Sequence, residues 1–212
     1  MLDCVPVIDI SSLLSAAVEG PELPPRPAEE LDDYLDAVER CVRRYGWSRT
    51  SPQDIARELG INRTTVYRVL GTRDRIFELL VSREVHRLID RVSRHAVGMV
   101  AAGTAGADIV VEVCALAIEE VRANPTTAKL LADEPELVSE FLRDGVPAVV
   151  ARFADAFAPM LGLAMQHGRI AHRDPHIVTE WAVRMCLSLL FAPPRGDLRS
   201  FLAEGLRPLF AV

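Results

Sequence analysis

The chain has 212 residues and a formal net charge of −6; 50% of its residues are hydrophobic and only 6% are aromatic. This length allows one or two domains with a large core, and the overall acidity excludes a protein that binds polyanions over its whole surface. We find no apolar run of membrane-spanning length and no N-terminal basic segment followed by an apolar one, so we expect a cytoplasmic protein without a membrane partner.

Residues 1–29 are predicted to form an extension and a linker. The segment 5–10 looks extended, and four prolines stiffen the part that follows: Pro21, Pro24, Pro25 and Pro27. The acidic residues Asp3, Asp9, Glu19 and Glu22 outnumber the arginine of this segment, Arg26. We therefore do not expect the extension to contact a polyanion.

Three consecutive helix starts can be recognised between residues 51 and 75 from their capping residues. Ser51 can accept a hydrogen bond from the backbone three residues on, and Asp54 completes a capping box. Gly60 can adopt the left-handed conformation that ends this short helix. Asn62 and Thr72 are the next two N-caps. Two short helices joined by a glycine turn form a helix-turn-helix.

The second helix of this motif is predicted to have a basic and polar outer face. Val66, Val69 and Leu70 point inward at helical spacing, and the outward positions are Arg63, Thr64, Thr65, Tyr67 and Arg68. Residues 41–75 hold eight arginines and three acidic residues, a net charge of +5, so the rest of the chain carries −11. We therefore expect salt-sensitive DNA binding that is confined to this patch.

These residues resemble the DNA-binding domain of the TetR family of bacterial transcriptional repressors. Residues 31–45 look like the family's first helix and Gly46-Trp47 like its turn; similar positions follow at Ile55-Ala56, Gly60-Ile61, 65–67 and 71–74. Two residues depart from the pattern: Leu70 stands where a Phe is usual, and Arg73 where a Lys is usual. The close resemblance covers about residues 30 to 80.

The resemblance implies an all-α protein with an N-terminal three-helix helix-turn-helix domain, here 30–75, and a helical ligand-binding and dimerisation bundle, here 76–212. It also implies that the Tyr67 hydroxyl binds a phosphate. Arginine and threonine side chains suit base edges in the major groove, and a helix N-terminus suits a phosphate. The expected DNA-binding residues are Ser51, Gln53, Asn62, Arg63, Thr64, Thr65, Tyr67, Arg68, Thr72 and Arg73.

Further helices are predicted in the second half from apolar periodicity and from the positions of glycine and proline. The first runs from residue 73 to about 97 and stops at Gly98. The others cover 107–123, 136–142, 146–166 with a kink at Pro159, 177–191 and 197–210.

Segment 177–191 is apolar on nearly every side, so it must be covered on both faces. The resemblance implies that the last two helices pair with those of a second subunit in a four-helix interface, although a helix buried inside a monomer would show the same pattern. A homodimer would present two recognition helices to a palindromic operator in double-stranded DNA. The expected interface residues are Trp181, Leu189, Phe201 and Leu202.

A small-molecule pocket is predicted among the C-terminal helices, with ordinary core packing as the alternative for each residue. The candidate lining residues are soft or aromatic: Met99, Cys114, Ile118, Phe153, Phe157, Met160, Trp181 and Met185. Such a lining favours a small, mostly apolar effector. The four cysteines, Cys4, Cys41, Cys114 and Cys186, are scattered and are expected to be core residues in a reducing compartment.

Two alternatives to a ligand-released repressor remain at this point. His167, His172, His176 and Asp174 could bind a metal, and segment 5–10 resembles the opening strand of iron and 2-oxoglutarate-type oxygenases. The chain nevertheless lacks a β-rich body, and no histidine follows His176 to complete an iron site, so we expect no enzyme and no cofactor. The other alternative is a helical ligand-binding protein with a non-functional helix-turn-helix.

Overall fold

The computed structural model describes residues 26–140 and 146–211, which contain no strand. Ten α-helices follow one another in these parts: α1 (Asp32–Tyr45), α2 (Pro52–Leu59), α3 (Arg63–Leu70), α4 (Arg73–Ala101), α5 (Gly106–Ala123), α6 (Pro125–Asp133), α7 (Pro135–Glu140), α8 (Val146–Gln166), α9 (Pro175–Phe191) and α10 (Leu198–Phe210). The all-α prediction is confirmed. Residues 1–25 of the predicted extension and linker (1–29) lie outside the described residues.

The predicted caps of the helix-turn-helix are confirmed. Ser51 and Asp54 form the capping box at the start of α2, and Gly60 ends that helix with φ +67°. The side-chain oxygens of Asn62 and Thr72 accept backbone hydrogen bonds at the starts of α3 and α4. Each cap satisfies an N–H group that the helix itself cannot bond, and thus fixes where the helix begins.

The first of two apolar cores, which we call the N-terminal core, holds the helix-turn-helix together. Its buried residues come from α1 to α4: Leu35, Val38, Cys41, Val42, Ile55, Ala56, Val66, Leu70, Ile76, Leu79 and Leu80. Leu130 of α6 packs against the same core. The core therefore continues beyond Arg75, the predicted domain limit, and α4 belongs to both halves of the chain.

The second, C-terminal core is built around α5, which contacts α4, α9 and α10. Its buried residues are Val111, Cys114, Ala115, Ile118, Met165, Ile170, Leu189, Leu202, Leu206 and Phe210. Arg199 ties α10 to α5 by donating to Glu119 at 2.9 Å and to Glu112 at 3.0 Å. These bonds raise the pKa of the guanidinium, so α10 is held by charge as well as by apolar packing.

The end of α4 differs from the sequence prediction. Helix α4 continues through Gly98 to Ala101, and Gly103, with φ +76°, follows its end. A single glycine inside a helix costs only about 1 kcal/mol, which does not break a 29-residue helix. Within the described residues, no helix is long and apolar enough to cross a bilayer.

The close approach of α5 to the loop before α9 gives a stability prediction. A Cβ on Gly106 would lie 2.4 Å from the carbonyl oxygen of Arg169, whereas nothing lies within 4 Å of a Cβ on Gly98. Gly106→Ala should lower the free energy of unfolding by about 1–3 kcal/mol through overpacking. Gly98→Ala, the control, should raise it by about 0.5–1 kcal/mol. Urea unfolding measures both, and equal effects of the two changes would contradict the contact.

Candidate DNA-binding surface

Helix α3 presents one polar and basic face to solvent. Arg63, Thr64, Tyr67 and Arg68 are exposed, with Tyr67 at 51%, and Thr65 is half-buried. On the opposite side Val66 and Leu70 are almost completely buried in the N-terminal core. The predicted inward and outward positions of this helix are therefore confirmed, and its outer side chains are available to a partner.

Arg63 and Arg68 differ from several neighbouring arginines in having no internal partner. Within the described residues, neither makes an ion pair or a side-chain hydrogen bond. Three other arginines of this domain each contact an acidic side chain: Arg40 with Glu58, Arg57 with Asp54, and Arg75 with Glu78. Helix α3 therefore carries positive charge that is free to meet an anion.

The predicted contact residues Ser51, Asn62 and Thr72 act first as caps. The Ser51 hydroxyl accepts from the Asp54 backbone N–H and donates to its carboxylate, so both of its hydrogen-bonding functions are used. The Asn62 Oδ1 atom accepts from the Thr64 N–H at 2.9 Å. The side-chain amide hydrogens of Asn62 remain free to donate. Gln53 is exposed on the first turn of α2.

Arg73 lies at the first position of α4 and is held by the turn between α1 and α2. Its guanidinium donates to the Trp47 carbonyl oxygen at 2.5 Å, and its Cζ lies 4.9 Å from the centre of the Trp47 ring. The same ring packs against Phe77 with centroids 5.0 Å apart. Because a guanidinium has five N–H donors, the Trp47 contact leaves others for a phosphate. The sequence prediction missed this arrangement.

The predicted pocket residues are spread over several environments. Cys114 and Ile118 are buried in the C-terminal core with Met185 packed against it, and Phe153 and Phe157 stack on α8 with centroids 5.9 Å apart. Met99 and Met160 are half-buried on α4 and α8. Trp181 is 45% exposed. Trp181 therefore lies at the surface, whereas the sequence prediction placed it in one pocket with the other seven residues.

The predicted interface residues also divide into two groups. Trp181 and Phe201 are 45% and 51% exposed, and Ile177, one turn before Trp181, is 65% exposed. Leu189 and Leu202 are buried inside the chain, at 7% and 0%. Leu189 and Leu202 thus pack in the chain's own C-terminal core, which differs from the interface position that the sequence predicted for them. Ile177, which the sequence prediction did not name, is the most exposed of these apolar residues.

The candidate metal ligands and the cysteines can both be located in the structure. The Asp174 carboxylate caps α9, and no group of three metal-ligating side chains occurs among the residues that the structure describes. Cys41 is buried in the N-terminal core as predicted. Cys114 on α5 and Cys186 on α9 are far apart in the sequence but contact each other in the fold. This contact and burial raise the pKa of the Cys114 thiol.

Comparison with known proteins extends these observations. No family model matches the chain. It is 30% identical over 184 residues to the uncharacterized HTH-type transcriptional regulator Rv1255c of Mycobacterium tuberculosis (strain ATCC 25618 / H37Rv), with 84% of each protein covered. It is 28% identical over 171 residues to the HTH-type transcriptional regulator AlkX of the same organism, with 78% of this chain and 77% of that protein covered.

A solved structure shares the fold over most of the length. The TetR family repressor AlkX from Dietzia sp. strain DQ12-45-1b superposes with a TM-score of 0.59 at 17% identity, covering 87% of this chain and 95% of that one. The relatives are transcriptional regulators, so they give the enzyme alternative no support. The exposed basic helix of a capped helix-turn-helix, the relatives and the shared fold together show that this chain is an HTH-type transcriptional regulator with the fold of the TetR family repressors.

Proposed function

We propose that the protein is a homodimeric repressor that binds a palindromic operator through α3 of each subunit and is released by a small, mostly apolar ligand. The observation that carries this proposal is the exposed face of α3, where Arg63 and Arg68 have no partner among the described residues. The regulator would act in the cytoplasm, where bacterial DNA is accessible.

The side chains of α3 suit the major groove. A guanidinium can donate two hydrogen bonds to O6 and N7 of guanine, and the methyl groups of Thr64 and Thr65 can pack on thymine. Tyr67 would donate its hydroxyl hydrogen to a phosphate. Arg73 and the free N–H groups that follow Thr72 would bind the backbone at the start of α4.

A dimer is supported by the exposed apolar side chains on the last two helices. Ile177, Trp181 and Phe201 form a face of α9 and α10 that the described residues leave uncovered. A single helix as short as α3, with 8 residues, makes few contacts, and a twofold axis doubles them. We therefore place a helical interface of about 1,600 Å² or more on this face.

The release mechanism would follow from linkage. A ligand that binds better to one spacing of the two α3 helices shifts the population toward that spacing, and its effect is limited by this difference in affinity. Soft side chains in the C-terminal half support an apolar effector. The Dietzia AlkX structure is described as implicated in biodegradation of n-alkanes, which suggests long alkyl chains as the first probes.

The role of α3 can be tested after selection of bound duplexes from a random pool. Tyr67→Phe should weaken binding to all sequences by a similar factor of about 3 to 10, because it removes one phosphate contact. Arg63→Ala or Arg68→Ala should change the base preference at one position of each half-site. Arg195→Ala, in an exposed loop of the C-terminal half, is the control. Unchanged affinity and preference in all three α3 variants would exclude α3 from the groove.

The dimer interface can be tested by introducing charge. Trp181→Glu should convert the dimer to a monomer, because an unpaired carboxylate would be buried at the interface. Val81→Glu is a matched control, since Val81 is also apolar and 43% exposed but lies on α4. Sedimentation measures both variants. A soluble Trp181→Glu protein that stays dimeric would contradict the interface.

The effector class can be tested with a panel of n-alkanes, fatty acids, sterols, aromatic drugs and sugars. An apolar compound that binds should raise the melting temperature and weaken binding to the selected duplex, because both effects come from its preference for one conformation. If only sugars or metal ions have these two effects, the apolar-effector proposal is wrong.

A further inference from the structure

Helix α6 lies across the N-terminal core although it belongs to the second half of the chain. It contacts α1, and three residues at intervals of one turn face the DNA-binding domain: Thr126, Leu130 and Glu134, the residue that follows its end. Positions four residues apart lie on one side of a helix. One face of α6 is therefore attached to the DNA-binding domain along its whole length.

The first attachment connects Thr126 to α1. The Thr126 hydroxyl, on a residue that is 3% exposed, donates to Glu39 Oε1 at 3.0 Å. The other carboxylate oxygen of Glu39 accepts from Arg83 of α4 at 3.1 Å, and Arg83 also donates to Asp36 at 2.8 Å. Arg83 is only 4% exposed. The hydrogen bonds among these side chains therefore form a largely buried network at the junction of α1, α4 and α6.

The last attachment connects Glu134 to the turn between α1 and α2. The Ser48 N–H donates to Glu134 Oε1 at 2.7 Å, and the Ser48 hydroxyl donates to Oε2. Glu134 is 9% exposed. Burial opposes its ionisation, but the two hydrogen bonds from Ser48 outweigh burial and hold the pKa of the carboxyl below its ordinary value. Both oxygens of a charged group are thus bound by one residue of the DNA-binding domain.

The turn that Glu134 binds leaves little room for a side chain at Gly46, and it also holds Arg73. Gly46 has φ +83°, and a Cβ at this position would lie 3.2 Å from Glu134 Oε1. The next residue, Trp47, accepts the hydrogen bond from Arg73 and packs against its guanidinium. Glu134 and Arg73, at the start of α4, therefore both contact the short turn 46–48.

The other end of α6 is fixed to the C-terminal core. Asn124 is both the last cap of α5 and the first cap of α6, where its Oδ1 atom accepts from the Thr126 and Thr127 N–H groups. Its amide donates to Glu84 of α4 at 3.1 Å. Because only Asn124 separates the two helices, a movement of α5 displaces α6 directly.

We propose that Glu134 is a positioning residue that holds the DNA-binding domain of each subunit in the orientation set by the C-terminal core. The two α3 helices of the dimer then keep the spacing that a palindromic operator requires. This inference rests on the proposed dimeric, operator-binding function. Glu134 itself does not touch DNA; it acts through Ser48 on the turn that carries Trp47 and Arg73.

The test compares a full palindrome with a duplex that holds one half-site, both taken from the random-pool selection. Glu134→Ala should weaken binding to the palindrome by about tenfold, because the free domains must then be ordered on binding. Binding to the half-site should change by less than about twofold, since one recognition helix needs no fixed spacing. Glu136→Ala, which removes an exposed carboxylate two residues away, is the matched control and should change neither.

A double-mutant cycle with Ser48 identifies the contact. Ser48→Ala keeps the backbone N–H and removes one of the two bonds, so its effect on the palindrome should be smaller, about threefold. In a protein that already carries Glu134→Ala, the same change should add nothing. Hydrogen exchange of the Ser48 amide should become faster in Glu134→Ala, while amides of the N-terminal core keep their rates.

Three results would overturn the inference. Equal weakening on the palindrome and the half-site would show that Glu134 supports the folding of the domain instead of its orientation. An unchanged affinity of Glu134→Ala for the palindrome would show that the contact does not position the DNA-binding domain. Additive effects of Ser48→Ala and Glu134→Ala would show that the two residues act separately. Failure to recover any preferred duplex in the selection would instead remove the proposed operator function, and this inference with it.

Discussion

The structure depends on α4, which is buried in both halves of the chain. Its 29 residues span about 43 Å at 1.5 Å per residue. Ile76, Leu79 and Leu80 complete the N-terminal core, Arg83 joins the acidic side chains of α1, and Ile89 and Val92 are buried further along. The helix begins at Arg73 beside the recognition helix, so the DNA-binding surface and the second half of the chain share one rigid element.

One helix alone would leave the DNA-binding domain free to rotate about the α4 axis. Helix α6 provides a second attachment: Thr126 contacts α1, and Glu134 contacts the turn between α1 and α2. The polar contacts at this junction are buried, where a hydrogen bond that loses its partner is costly. Such a junction favours discrete orientations over continuous bending, which is what the proposed release by a ligand requires.

Local features of this protein could be predicted from the sequence, because their causes lie within a few residues. The capping oxygens of Ser51, Asn62 and Thr72 and the inward spacing of Val66 and Leu70 located α2 to α4 and the outer face of α3. The ends of α4 were less predictable. Gly98 carries no conformational requirement of its own, and packing of the neighbouring turns continues the helix through it.

Features that join distant residues could not be predicted. Ser48 and Glu134 are 86 positions apart, and neither residue has a local signal that distinguishes it from an ordinary surface serine or glutamate. Leu202 and Phe201 are adjacent and apolar, yet one is fully buried and the other is half exposed, because apolar residues on both sides of α10 do not reveal which side faces the chain's own core. The contact between Cys114 and Cys186 depends equally on how α5 and α9 pack.

The central claim is that the outer face of α3 reads base edges in two major grooves. Guanine methylation interference on a selected duplex tests it most directly, because methylation blocks N7, the atom that an arginine from α3 would contact. The account predicts interference at guanines in two clusters that are separated by about 10 base pairs or a multiple of this distance, on one side of the duplex. Interference in a single cluster, or none at guanine N7 within a tightly bound site, would contradict it.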